Sequence, residues 1–291
     1  MKKSFIYAAL MCLSIIAMVG CDKNFETFED NTSPTGTPSA VENISADSLP
    51  GQIVLHWDVP ADSNYYLLQI NYYDHLTEEQ VYEVASVYQD SLLIDNTRKK
   101  FGNYKFTFQT FSRDNVAGNA VDFEAMSGRT PITETITVTE ISLTEDQLST
   151  NNQEPSEGPI KNLIDGSSST FFHTRWSSPQ IPMPQYIQID LKSPIDDFKF
   201  YFQNRAWSQV GAESVEIQIS TDGTNWETIE TISAGLPSAG GAEYTSEIFR
   251  PGKTFSYFRY NVTQTYGSKN YFNMAQFKLY DVEIETHDPE L

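Results

Sequence analysis

His173 and Trp176 stand three residues apart in a stretch rich in Ser, Thr and Phe. An aromatic ring face suits the C–H side of a pyranose, and planar donors and acceptors suit its hydroxyls. An aromatic beside His, Arg and Glu is therefore what sugar recognition needs. Two residues alone would equally describe a surface histidine beside a core tryptophan. Catalysis has less to draw on. The chain has no HExxH, Cys-x-x-Cys, Walker A or Gly-x-Ser-x-Gly spacing, and its other histidines are His56, His75 and His287. Asp196 and Asp197 are adjacent on a turn and cannot flank a glycosidic bond as a paired acid and base. The expectation is a protein that is not an enzyme.

The 291 residues suffice for two modest domains, and 39 acidic against 19 basic residues give a net charge of −20. The longest basic run is Arg98-Lys99-Lys100, too little to displace counterions from a phosphate backbone, so no nucleic-acid partner is expected. Aromatic residues make up 13% of the chain, and alternating runs rather than helical stripes carry them, which predicts an all-β protein.

Residues 1–20 read as a signal: Met1-Lys2-Lys3, an apolar run to Val19, then Gly20-Cys21. The run is short for a spanning helix. Met18-Val19-Gly20-Cys21 resembles the bacterial lipobox, which implies lipidation of Cys21 and, because Cys12 leaves with the signal, no disulfide. Losing Lys2 and Lys3 takes the net charge from −20 to −22, so membrane contact is expected through the lipid alone. Residues 21–37 are acidic and then rich in Ser, Thr, Pro and Gly, a flexible tether. Their acidic start resembles the surface-export signal of Bacteroidetes lipoproteins, which implies a lipid-anchored address on the outer membrane, at the cell surface.

Residues 38–127 alternate with period 2, and Ile53, Leu55 and Trp57 share one face, so Trp57 is expected in a core and His56 outside it. Gly102-Asn103-Tyr104 before a strand resembles the tyrosine corner of a fibronectin type III sandwich, an immunoglobulin-like fold. Residues 128–135, with Pro131, read as a linker, and residues 136–291 as a second β domain in which Asp222-Gly223 marks a hairpin.

In that second domain the run Asn162-Leu163-Ile164-Asp165-Gly166-Ser167-Ser168-Ser169-Thr170-Phe171-Phe172-His173-Thr174-Arg175-Trp176 is a long local signature. With Ile219-Ser220-Thr221-Asp222-Gly223-Thr224-Asn225-Trp226, Phe258-Arg259-Tyr260 and Met274-Ala275-Gln276-Phe277 it resembles the discoidin domain, the coagulation factor V/VIII C-terminal type, and within it the family 32 carbohydrate-binding modules. The resemblance implies a jelly-roll β-sandwich with a ligand at one loop end. It places His173, Trp176, Arg205 and Tyr271 in a glycan site, joined by an upstream glutamate, Glu157 or Glu154, with spacing favouring Glu157. Tyr201, Trp207 and Tyr266 are further aromatics that the sequence does not separate from packing.

The resemblance also implies a structural calcium ion held by Asp165, Ser167, Thr170, the carbonyls of Asn162 and Ala275, and the side chain of Gln276. Ser167 stands where Asn or Asp is usual and Gln276 where Glu is usual, leaving Asp165 the one carboxylate, and lost negative charge weakens calcium binding. The function implied is non-catalytic glycan capture at a cell surface, beside neighbouring glycan-import proteins. The alternative is a surface adhesion lipoprotein that binds protein through a structural discoidin domain.

Overall fold

The computed structural model describes residues 36–62, 64–207 and 210–291. The expected signal, Cys21 and most of the expected tether lie outside the described residues. No helix among the described residues is long and apolar enough to cross a membrane. The fold is all-β, in two compact units. The first ends at Ile132 and takes in Asp288–Leu291; the second is Thr133–His287.

The first unit contains β1 (Glu42–Leu49), β2 (Gln52–Asp58), β3 (Leu67–Asp74), β4 (Glu79–Ser86), β5 (Ser91–Ile94), β6 (Tyr104–Phe111) and β7 (Val121–Ala125). They form two antiparallel sheets, β1-β2-β5 and β4-β3-β6-β7. Alternation decides what is inside: Ile53, Leu55 and Trp57 from β2 meet Leu68 and Ile70 from β3 and Phe106 and Phe108 from β6 in one core. The Trp57 ring meets Phe108 edge-on at 5.9 Å. His56, on the opposite parity, lies 3.1 Å from Asp47 outside. Tyr104 is buried, and its hydroxyl accepts the Arg98 backbone N–H at 2.8 Å.

The expected linker, residues 128–135, is structured on both sides of the join. Gly128 donates to the Leu49 carbonyl at 2.9 Å, and the Thr130 N–H donates to Glu290 at 2.8 Å. Thr133 already pairs with His287 as the start of a strand. Every residue of that strand is solvent-exposed, and its first three residues, Thr133, Glu134 and Thr135, are polar, so its apolar alternation is visible only from Ile136. The end of the chain also differs from the expected boundary of 136–291. Glu290 accepts the backbone N–H groups of Lys99, Lys100 and Thr130, which attaches the last residues to the first unit.

The second unit runs β8 (Thr133–Glu140), β9 (Leu148–Ser149), β10 (Phe172–His173), β11 (Gln185–Ile195), β12 (Asp197–Gln203), β13 (Ala212–Ser220), β14 (Glu227–Ile232), β15 (Glu243–Thr245), β16 (Phe255–Thr265), β17 (Asn273–Met274) and β18 (Gln276–His287). A five-stranded sheet β14-β13-β16-β11-β9 packs on a four-stranded sheet β15-β12-β18-β8, and β10 pairs with β17 in a two-stranded ladder. The interior is aromatic. Phe198, Phe200 and Phe202 on β12 face Phe258 and Tyr260 on β16, with Phe200 and Phe277 stacked at 5.9 Å and Phe200 and Tyr260 edge-on at 5.7 Å. Rings in such offset and edge-on arrangements gain beyond their buried area.

Two tyrosines in these cores make a matched test. Tyr104 hydroxyl is bonded, whereas the fully buried Tyr260 hydroxyl has no hydrogen-bond partner among the described residues. Tyr104→Phe should cost about 1 kcal/mol or more by orphaning the Arg98 N–H. Tyr260→Phe, which removes the same atom, should be neutral or slightly stabilising. Urea unfolding of the two variants checks the contrast, and equal losses would contradict it.

Candidate functional site

The ladder of β10 and β17 pairs Phe172 with Met274 and His173 with Asn273, bringing the signature loop against the segment that carries Tyr271. Gly158 permits this. Its φ is +62°, and a Cβ there would lie 2.8 Å from the His173 nitrogen and 2.9 Å from its Cβ. The Gly158 carbonyl accepts the His173 N–H at 3.0 Å, and the His173 carbonyl accepts the Glu154 N–H at 3.0 Å.

His173 is 5% exposed, so it cannot be a stacking face and can offer a ligand only single atoms. Its Nδ1 lies 2.6 Å from the Thr174 carbonyl. A carbonyl only accepts, so Nδ1 carries the proton and Nε2, 3.4 Å from the Asn273 amide, is the accepting side. Burial pushes its pKa below the ordinary value. The Thr174 carbonyl and the Glu157 charge pull it up, and Arg205 adds to the depression. The imidazole is neutral at pH 7.

The rings of Tyr271 and Phe171 lie 5.6 Å and 6.3 Å from that of His173. Arg205 lays its guanidinium over Phe171, 3.4 Å from the ring centroid, where cation–π attraction and the flat stack hold it in place. It follows β12 directly. The neighbouring Asn204 is buried and donates to the carbonyls of Pro237 and Ala239, and the Arg205 carbonyl accepts the Gly241 N–H at 3.3 Å. Phe171 was not singled out in the sequence. Its neighbour Phe172 is fully buried whereas Phe171, just before β10, is half-buried, and no pattern in the sequence separates the two.

Trp176 is 45% exposed, and its indole N–H donates to Glu157 at 2.9 Å. Of the two candidate glutamates, Glu157 is thus the exposed one at the aromatic. Glu154 is buried and serves the loops instead: it accepts from Ser156 Oγ at 2.7 Å and from the Ser177 N–H at 3.1 Å. Burial raises its pKa, but the hydrogen bonds from Ser156 and Ser177 outweigh burial and bring it down to about 2. The structure thereby brings His173, Trp176, Arg205, Tyr271 and Glu157 to one loop end. It also separates the remaining aromatics. Tyr266 is half-buried and donates to the Leu236 carbonyl at 2.5 Å, Tyr201 lies half-buried on β12, and Trp207, two residues after Arg205, is 94% exposed.

The residues expected to hold calcium also cluster, but with a donor among them. Gln276 Nε2 lies 3.1 Å from the Asn162 carbonyl, 3.0 Å from Asp165 Oδ1 and 2.9 Å from the carbonyls of Ser167 and Ala275. Thr170 Oγ1 donates to Asp165 Oδ2 at 2.6 Å. Calcium needs six to eight oxygens at short range. With one carboxylate and an amide nitrogen facing the oxygens, this set does not fit it.

Residues 147–277, most of the second unit, match the F5/8 type C domain, so the chain carries a discoidin domain. The chain is similar to two Clostridium perfringens structures. One was solved with GalNAc-β-1,3-galactose (20% identity, 48% of this chain and 99% of the other, TM-score 0.41), and the other is the family 32 carbohydrate-binding module of NanJ, solved with galactose (18%, 50% and 100%, 0.41). It is also similar to a SusE-like protein over 85% of this chain and 99% of that one, at 13% identity and TM-score 0.38. No curated protein matches the chain.

A depressed carboxylate stabilises the fold fully above its unfolded pKa, near 4.5, and loses that contribution as pH falls through its folded value, about 2 for Glu154. Between pH 4.5 and 2 the wild type should lose more stability than Glu154→Gln, which has no charge to lose. Thermal midpoints of both across that range check it, and parallel curves would contradict the clamp.

Proposed function

We propose that this protein is a non-catalytic, lipid-anchored glycan-binding protein of the outer-membrane surface, whose discoidin domain takes a sugar at the loop end of His173, Trp176, Arg205, Tyr271 and Glu157. One observation carries the reading. A half-exposed tryptophan is held by a carboxylate through its indole N–H, beside a neutral histidine and an arginine stacked flat on a phenylalanine. A ring face for the C–H side of a pyranose and planar donors for its hydroxyls therefore stand together.

Stacking on Trp176 supplies affinity, and the guanidinium and carboxylate set orientation. Trp207, nearly fully exposed on the loop of Arg205, offers a face for a second residue of an oligosaccharide. The first unit, a seven-stranded sandwich read as fibronectin type III-like, follows the lipidated tether in sequence and serves as a spacer. Neighbouring glycan-import proteins are the fitting partners for a surface binder with no chemistry of its own.

A glycan array on the protein from residue 22 onward tests the reading. Trp176→Ala should weaken binding by about 1 kcal/mol or more and Arg205→Ala by about 1.5–3 kcal/mol, with circular dichroism unchanged. Trp207→Ala should weaken oligosaccharides while sparing a monosaccharide. Normal binding by both Trp176→Ala and Arg205→Ala moves the site elsewhere. No glycan on the array, with capture of a surface protein instead, favours adhesion.

The anchor has its own test. Cys21→Ser should release the protein from the membrane fraction, because acyl chains on the cysteine supply burial that the acidic tether cannot. Retention of the variant would sink the lipoprotein reading.

A further inference from the structure

We propose that the side-chain amide of Gln276 takes the place of a cation in this domain, holding the oxygen cluster of residues 162–170 from within, so that the binding loops are ordered without calcium. Four oxygens converge on Nε2 at 2.9–3.1 Å, three of them backbone carbonyls and one the Asp165 carboxylate. Left alone, such a cluster repels itself and needs positive charge at its centre. The amide supplies partial positive charge and two hydrogens.

Its orientation is set by the network. Gln276 Oε1 accepts the Gly166 N–H at 3.2 Å. Turned about, the amide would aim its oxygen at four oxygens and its NH2 at a donor. Gln276 is 7% exposed, so water cannot take over either role cheaply. Asp165 has little left for an ion, since Oδ1 also accepts the Ser167 N–H at 2.8 Å and Oδ2 accepts Thr170. An ion at the centre would have to expel Nε2.

The same bonds reach the binding loops. Asn162, whose carbonyl faces Nε2, donates its own side-chain amide to the Phe171 carbonyl at 2.9 Å, and Phe171 carries Arg205. The order of that platform thus depends on a side chain rather than on the ion content of the medium. This inference is independent of what ligand the loops take.

The test is thermal melting of the whole protein in millimolar calcium, in magnesium and with a chelator. Wild-type midpoints should agree within about a degree, since a ligand that does not bind the native state adds nothing to its stability. In Gln276→Glu a carboxylate would face the four oxygens with no donor. Its midpoint should fall with chelator and rise by several degrees with calcium over magnesium. A calcium-specific rise in the wild type overturns the proposal, and so does a Gln276→Glu protein that responds no more than wild type. If the variant folds only when refolded with calcium, that counts as the expected response. If it folds in neither medium, calorimetric titration of the wild type with calcium decides: saturable binding overturns the proposal, and its absence supports it.

Discussion

Two backbone pairs, Phe172 with Met274 and His173 with Asn273, carry the geometry of this molecule's loop end. That short ladder joins the signature loop to the Tyr271 segment, some hundred residues apart in sequence, and Thr174 extends it, its N–H donating to the Phe272 carbonyl at 3.0 Å. Two residues of pairing are weak by themselves. They persist because the rest of the His173 backbone is also engaged, its N–H by Gly158 and its carbonyl by Glu154. Behind them Phe172 is edge-on to Phe272 at 5.9 Å, both rings fully buried, so the ladder is fastened to the aromatic core.

Around this point Arg205 and Trp176 each have a partner that limits their freedom. Arg205 would be a mobile loop cation if Phe171 did not offer it a flat face, and Trp176 would be free to turn if Glu157 did not accept its N–H. Ordering such side chains before a ligand arrives removes part of the entropy cost of binding. Glu154 contributes differently: as a buried carboxylate with four donor groups it joins the loop at Ser156 to the loop at Ser177 and never meets the solvent face. The two glutamates, three residues apart, thus differ by burial: Glu154 joins two loops from inside, and Glu157 stays exposed beside Trp176.

The sandwich explains why such a loop end can be elaborate. Its sheets are tied by stacked phenylalanines and alternating β-branched residues, so the apolar core lies between the sheets and the loops between strands can hold polar clusters. The oxygen cluster beside Gln276 is one of these. Its sequence positions resemble a metal site, but an amide in place of a carboxylate reverses the chemistry: a donor stands where an acceptor would have drawn in an ion.

What the sequence determined by itself was the period-2 alternation, and with it the all-β class, the burial of Trp57, and the discoidin character of the second unit, because these follow from local side-chain parity and a long ordered signature. It also placed His173, Trp176, Arg205 and Tyr271 as candidates through resemblance. It favoured Glu157 over Glu154 by spacing alone, and the structure adds the physical difference between them, Glu154 being buried and Glu157 exposed at the Trp176 indole. It missed Phe171, which gains its role from a guanidinium 34 positions away. It also mistook the join, because strand β8 is exposed along its whole length and pairs with the far end of the unit, and because Glu290 completes its bonds with backbone groups of the first unit. Such pairings are decided by tertiary structure, since hydrogen bonds between distant segments leave no periodic trace in either segment alone.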